Sequence, residues 1–223
     1  CLTCSWLTHS SNYIKRATRT DGRASALARR GLAHRGGLAR LEERRQATAD
    51  ELLFDGVEEA LKAVRRDFPQ CTIGAVTNGR GDPRGMPRIA DLFEFCVSGE
   101  DADVWPERKP SPAIYEHALR RAGSATSTAA ASSSASSLRG SWVHVGDCLA
   151  NDVEASKKAG AATVWLDLPE AAPLSEFSTA SPEEAARRIE ARARALEAGN
   201  VDARIEAMSG LPAALEELLA AGT

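Results

Sequence analysis

Two carboxylates, Asp147 and Asp152, follow an apolar run of the chain at a spacing of five residues. The run ends at Gly146, and a helical pattern begins at Val153, which predicts a strand, a loop and a helix in that order. Such a loop would direct both carboxylates to one point. Because Mg²⁺ binds hard oxygen ligands and keeps water in its shell, Asp147 and Asp152 are the predicted metal ligands.

A second strand pattern, over residues 71–79, ends in Thr77-Asn78-Gly79. The Thr77 hydroxyl can donate to a phosphoryl oxygen. Gly79 lets backbone N–H groups turn toward the same oxygen, because glycine adopts conformations that other residues avoid. The end of this strand is therefore a predicted phosphate-binding turn.

Lys109, followed by Pro110, precedes a predicted helix over residues 113–121. At that position its ammonium would offer a compact positive charge to a phosphate group. Lys109 therefore joins the predicted phosphate-binding set, which consists of Thr77, Asn78, Gly79 and Lys109.

In chain order, these segments resemble the second, third and fourth motifs of the haloacid dehalogenase superfamily. The matching residues are Thr77-Asn78-Gly79, Lys109-Pro110, and Gly146-Asp147 with Asn151-Asp152. The combination is similar to that of capped phosphatases such as N-acylneuraminate-9-phosphatase and the pyrimidine nucleotidases. The resemblance covers residues 52–167 and resumes over 201–219.

This resemblance implies a fold, a cofactor and a reaction. The fold is α/β, a Rossmann-like three-layer parallel sheet with a partial N-terminal helical cap. The reaction is Mg²⁺-dependent hydrolysis of a small phosphorylated metabolite, a sugar phosphate or a nucleotide, through an aspartyl-phosphate. The implied catalytic residues are Thr77, Lys109 and Asp147. Asn78 would bind phosphate oxygens beside Thr77, and Asp152 would order the metal's waters or Lys109.

The family's nucleophile is the first Asp of an Asp-x-Asp segment that ends the first core strand, and no such segment precedes Thr77. The sequence therefore predicts a core that lacks this central strand. The strands ending at Thr77 and Asp147 should flank a gap or be joined by a substitute strand within residues 2–7. A chain beginning at Cys1 is expected to be a fragment that is inactive as it stands.

Two acidic segments approach the nucleophile pattern without matching it. Asp101 and Asp103 lie between the second and third motifs, where they resemble the family's acidic loop. Asp55 precedes an amphipathic helix over residues 58–68 and is predicted to be its N-cap. Neither segment is the expected nucleophile.

Composition favours one α/β core with an appendage, since the chain has 223 residues, 43% of them hydrophobic, and a net charge of −3. Nucleic acid and membrane are therefore not expected partners. Cys71, Cys96 and Cys148 fall in predicted strands or in the acidic loop, which indicates free thiols and a cytoplasmic location. The oligomeric state cannot be read from the sequence.

Residues 1–50 form a basic N-terminal segment, interpreted as the remnant of a helical cap. The alternative is a transit segment, which would place the protein in a plastid or mitochondrion. Residues 51–223 form the predicted core, with a flexible Ser/Ala/Thr insertion at 124–137 and a helical insertion at 170–200. The arginines of the latter are interpreted as a solvated face.

Two other functions stay open on this sequence. One is a non-catalytic member of the superfamily that binds a phosphorylated metabolite or a protein partner. The other is a different reaction on the same core, such as phosphonate hydrolysis or phosphomutase chemistry.

Overall fold

The computed structural model describes residues 2–4, 50–51, 53–79, 81–126, 142–168 and 181–221. Within these residues the strands are β1 (Leu2–Cys4), β2 (Ile73–Thr77), β3 (Phe95–Ser98), β4 (Val143–Gly146), β5 (Ala162–Leu166) and β6 (Ala203–Ile205). The α-helices are α1 (Val57–Asp67), α2 (Ala113–Thr126), α3 (Ala155–Lys158), α4 (Pro182–Glu197) and α5 (Leu211–Ala221). A π-helical turn, Leu149–Glu154, leads directly into α3.

The strands form one parallel sheet in the order β3-β2-β1-β4-β5-β6. Parallel neighbours need crossover connections, which explains the alternation of strands and helices along the chain. All carboxyl ends of the strands therefore lie at one edge. The chain winds outward in both directions from the centre, and the crevice at such a reversal is the usual ligand site of open α/β sheets.

The centre of the sheet is occupied by β1, in which Cys4 pairs with Ala75 on one side and Val145 on the other. Of the two expected arrangements, the structure shows the substitute strand within residues 2–7. The expectation that the core lacks its first central strand is corrected accordingly. The physical reason is that an empty centre would leave two buried strand edges with unpaired backbone groups, each costing about 1–3 kcal/mol.

The sheet lies between two helical layers, as the three-layer prediction required. Helices α1 and α5 pack on one face through a large apolar cluster. The other face is covered by α2, α3, α4 and the π-helical turn. The largest fully buried side chains include Trp142, Trp165 and Tyr115, and all three lie in the clusters of this second face. Burial of these apolar side chains on both faces holds the strand ends in fixed positions.

Two local predictions are corrected. Helix α1 follows Gly56, whose φ is +78°, and no side chain caps it, so the exposed Asp55 is not the N-cap. The left-handed conformation at this point suits glycine and explains the difference. Helix α2 continues to Thr126, three residues into the predicted flexible loop at 124–137, and the rest of that loop lies outside the described residues.

Helix α4 lies within the predicted helical insertion at 170–200 and begins at Pro182, as its sequence indicated. The cap and transit interpretations of residues 1–50 fall almost wholly outside the described residues. Among the helices that the structure describes, none has the length and apolar character to cross a membrane.

Candidate functional site

The predicted site residues converge at the carboxyl edge of the sheet. Thr77 is the last residue of β2, and Asp147 directly follows β4, so the two lie on either side of the central β1. Lys109 reaches the same region from the loop between β3 and α2. All three are at most 5% exposed. The strand ends thus bring a hydroxyl, a carboxylate and an ammonium to one place.

Lys109 forms an ion pair with Asp152. Its Nζ donates to Asp152 Oδ1 over 2.8 Å and to the Val76 carbonyl over 3.2 Å. The two side chains are 1% and 0% exposed. The other carboxylate oxygen, Oδ2, accepts from the backbone N–H of Cys148 at 3.1 Å. Both oxygens of Asp152 therefore have donors from the protein, and the carboxylate links the Lys109 loop to the residue after Asp147.

The environment keeps Asp152 ionised. Complete burial alone would raise the pKa of this carboxyl, but the Lys109 ammonium and His144 outweigh that effect and hold the pKa well below its usual range. His144 lies in β4 and is 1% exposed, with its ring edge-on to Tyr115 at 5.0 Å. Burial lowers the pKa of His144, which favours a neutral imidazole that packs in the core.

Gly146 is required by this arrangement. A Cβ built on Gly146 would lie 2.3 Å from Asp152 Cβ and 2.8 Å from Asp152 Oδ2. Both distances are much shorter than a van der Waals contact. The glycine of the Gly-Asp motif therefore makes room for the carboxylate that pairs with Lys109.

The substitution Gly146→Ala is expected to lower the free energy of unfolding by about 1–3 kcal/mol, because overpacking a filled core forces its neighbours to move. Urea denaturation of the purified variant measures the loss. The matched control is Gly81→Ala, since a Cβ at Gly81 has no heavy atom within 4 Å. Equal losses in the two variants would contradict the steric argument.

The Asn78 side chain holds the backbone of Lys109. Its Oδ1 accepts from the Lys109 N–H at 2.7 Å, and its Nδ2 donates to the Lys109 carbonyl at 3.0 Å. The Thr77 Oγ1 accepts from the Gly79 N–H at 3.1 Å, which closes the turn after β2. The turn and the lysine loop are thereby joined. This role of Asn78 was not predicted, because no local pattern links positions 31 residues apart.

The hard oxygen donor in the crevice is Asp147, whose side chain suits Mg²⁺. Within the described ranges, no group of three or more His, Cys, Asp and Glu side chains is arranged to share a metal ion. Mg²⁺ does not require such a group, because it is commonly held by one or two carboxylates together with water and substrate phosphate. The donor set is therefore compatible with Mg²⁺ at Asp147, whereas the oxygens of Asp152 face Lys109 and Cys148.

A further cluster, not predicted from the sequence, contacts the backbone of Asp147. The Trp165 indole N–H donates to the Asp147 carbonyl at 3.2 Å. Arg192 and Arg204 lie over the Trp165 ring, and each also contacts a carboxylate oxygen of Asp167 at 2.7 Å. Arg192 therefore does not belong to the solvated face that the charge pattern of α4 indicated.

The other acidic candidates lie elsewhere. The Asp103 side chain is 62% exposed and pairs with Arg121 at 3.2 Å, which fits a residue of an acidic surface loop. Trp105 is exposed, whereas Trp165 is 1% exposed and belongs to the core. None of Cys71, Cys96 and Cys148 forms a disulfide, as predicted.

Comparison with known proteins shows which family shares these motifs and this fold. The model of the haloacid dehalogenase-like hydrolase family matches residues 6–160. A HAD phosphatase from Thermococcus onnurineus has a similar structure at 15% identity, with 95% of each chain covered and a TM-score of 0.50. A 2-haloacid dehalogenase from Pseudomonas syringae pv. Tomato DC3000 is 21% identical, with 100% of this chain and 98% of that chain covered and a TM-score of 0.49.

A third solved structure, the HAD-hydrolase-like protein YfnB from Bacillus subtilis bound to magnesium, is 18% identical over 86% of this chain and 68% of that chain, with a TM-score of 0.45. No curated protein matches the sequence significantly. The family model spans well over half of the chain and includes all three motifs at the carboxyl edge. The chain belongs to the haloacid dehalogenase-like hydrolase family.

Proposed function

We propose that this chain binds the phosphate group of a small phosphorylated metabolite, together with Mg²⁺, at the carboxyl edge of its sheet. We further propose that the chain as it stands does not transfer that phosphate through an aspartyl-phosphate. The observation that carries the first part is the buried pair of Lys109 and Asp152, which contacts the backbone of Val76 and Cys148, the residues next to Thr77 and Asp147. A buried ammonium beside a hydroxyl and a second carboxylate suits a phosphate with its metal.

The residues divide the binding between them. The Thr77 hydroxyl donates to a non-bridging phosphate oxygen, and Lys109 balances the negative charge. The Asn78 side chain positions the Lys109 backbone, and Asn78 contacts the phosphate through its backbone N–H or the second hydrogen of Nδ2. The N–H of Gly79 is directed at Thr77 Oγ1, so Gly79 acts by shaping the turn.

Asp147 is the residue that would hold Mg²⁺. When bound, the ion would polarise phosphoryl oxygens and offset their charge. Asp152 is assigned to ordering Lys109, because its two oxygens accept from Lys109 Nζ and the Cys148 N–H. This assignment prefers one of the two roles that the sequence left open for Asp152.

The second part of the proposal depends on the occupied centre of the sheet. In the family, the nucleophile ends the strand at this position, and here β1 is followed by Ser5, Trp6 and Leu7, none of which carries a carboxylate. An Asp-x-Asp strand from any other segment would have to displace β1 from between β2 and β4. This favours the non-catalytic binding function over hydrolysis for residues 1–223.

Calorimetry with inorganic phosphate, with and without Mg²⁺, tests binding. We expect Mg²⁺-dependent binding that Lys109→Met weakens by at least about tenfold, because charge-assisted hydrogen bonds are among the strong ones. Circular dichroism checks that this variant, in which Asp152 has lost its buried partner, is still folded. Lys158→Met is the control, since Lys158 is a largely exposed lysine paired with Glu154. Phosphate affinity that is equal in wild type and Lys109→Met would end the proposal.

A phosphate-release assay with p-nitrophenyl phosphate and Mg²⁺ tests the absence of transfer. We expect no release above the buffer rate, since the position that ends β1 offers no carboxylate. Turnover that disappears in Asp55→Asn or Asp103→Asn would instead reveal a relocated nucleophile.

A further inference from the structure

We infer that Trp165 is a positioning residue for Asp147, and that helix α4 supports it in that role. The inference deepens the proposed function in so far as it concerns the metal. The peptide group concerned joins Asp147 to Cys148. The carbonyl of that group accepts from the Trp165 indole N–H at 3.2 Å, and its N–H donates to Asp152 Oδ2 at 3.1 Å.

The carbonyl and the N–H of one peptide group are therefore both hydrogen-bonded to buried side chains. A peptide group is planar, so fixing its carbonyl and its N–H fixes its rotation. That rotation sets ψ of Asp147 and, with the preceding strand β4, the direction in which the carboxylate leaves the backbone. Trp165 is placed for this because it pairs with Gly146, the last residue of β4, in the sheet register.

The indole is itself held from the side of α4. Arg192 of α4 and Arg204 of β6 place their guanidinium groups 5.0 Å and 5.7 Å from the ring centroid. Both also contact the carboxylate of Asp167, which is 5% exposed. Ala195 of α4 packs in the same buried cluster as Trp165. Helix α4, which forms part of the insertion between β5 and β6, is thus in direct contact with the residue that orients Asp147.

The hydrogen bond can be separated from the packing. Trp165→Phe keeps a ring for the arginines and the core but removes the N–H donor. Trp142→Phe is the matched control, because Trp142 is equally buried but directly precedes β4, at the opposite end of that strand from Asp147. Arg192→Gln tests the support from α4 without touching the indole.

Amide hydrogen exchange of metal-free protein is the first measurement. In Trp165→Phe we expect the Cys148 amide to exchange at least about tenfold faster relative to the amides of β2. The reason is that the Asp147 carbonyl, in the same peptide group, has lost its hydrogen bond. Arg192→Gln should show a smaller increase, and Trp142→Phe none. A change that is uniform across β2, β4 and β5 in Trp165→Phe would mean a purely structural role and would overturn the inference.

Binding of Mn²⁺ alone, followed by electron paramagnetic resonance, is the second measurement. We expect Trp165→Phe to weaken Mn²⁺ binding by about 10-fold or more, as is typical of groups that orient metal ligands, with Trp142→Phe within about twofold of wild type. If wild type binds no Mn²⁺ but the exchange difference is present, the proposed metal function fails and the orientation of Asp147 by Trp165 stands. An unchanged Cys148 exchange rate overturns the inference whatever the metal does.

Discussion

Asp152→Ala is expected to lower the free energy of unfolding by about 3–5 kcal/mol, the cost of removing one partner of a buried ion pair. The side chain of Lys109 is 1% exposed, so its ammonium would be left in the core without the carboxylate that balances its charge. Since a domain of this kind has a total stability of about 5–15 kcal/mol, the variant should be close to unfolding. Urea denaturation of wild type and variant measures the loss.

The double variant Lys109→Met with Asp152→Leu separates the charge from the packing. Replacing both partners by apolar side chains removes two desolvation costs together with the attraction, so most of the stability should return. Phosphate binding should not return, because the ammonium is gone. The exposed pair of Lys158 and Glu154 is the control, and Glu154→Ala should cost far less. A stable Asp152→Ala protein would contradict the buried-charge argument.

The same pair sets a pH dependence. The folded protein holds the pKa of Asp152 below its unfolded value, so the pair's contribution to stability is present above the unfolded pKa of about 4. It is lost as the pH falls through the lower, folded pKa. The stability difference between wild type and the double variant should therefore be constant from pH 7 to about pH 4 and change below that. Urea titrations across this range measure it.

The site residues at strand ends were predictable from the sequence because their chemistry is local. Thr77 and Asp147 follow apolar runs directly, and parallel strands place such positions at one edge. Lys109 could be placed because Pro110 and the following helical pattern put it in the loop just before α2. The resemblance left two roles for Asp152, ordering the metal's waters or ordering Lys109, and the 2.8 Å distance between Lys109 Nζ and Asp152 Oδ1 fits the second.

The contacts that orient these residues were not predictable, and the reason is physical. Asn78 bonds to Lys109, and Trp165 bonds to Asp147, across separations of 31 and 18 residues. Side-chain hydrogen bonds between elements leave no periodic pattern in the sequence. A tryptophan in a strand pattern predicts only a buried core residue. The central β1 escaped a firm prediction because three residues are too few to show the alternation of a strand.

Asp147→Asn should remove the Mg²⁺-dependent part of phosphate binding, with a loss of at least about 100-fold in Mn²⁺ or Mg²⁺ affinity. Changes to groups that merely orient a ligand already cost about 10- to 100-fold, and Asp147 is the ligand itself in the proposed site. The variant keeps the size of the side chain and the carbonyl that accepts from Trp165, so the fold should be retained.

Calorimetry with Mg²⁺ and inorganic phosphate measures the loss, and thermal unfolding checks the fold of the variant. Asp103→Asn is the control, because it removes the same charge from an exposed loop residue that pairs with Arg121. Loss of Mg²⁺-dependent phosphate binding in both variants would point to a general effect of net charge. Loss in Asp147→Asn alone would assign the metal to the carboxylate that follows β4, and retained Mg²⁺ dependence there would remove Asp147 from the site. The comparison of the two variants therefore tests whether Asp147 can hold Mg²⁺ together with water and phosphate. A second carboxylate, which is expected after β1, is absent from this site.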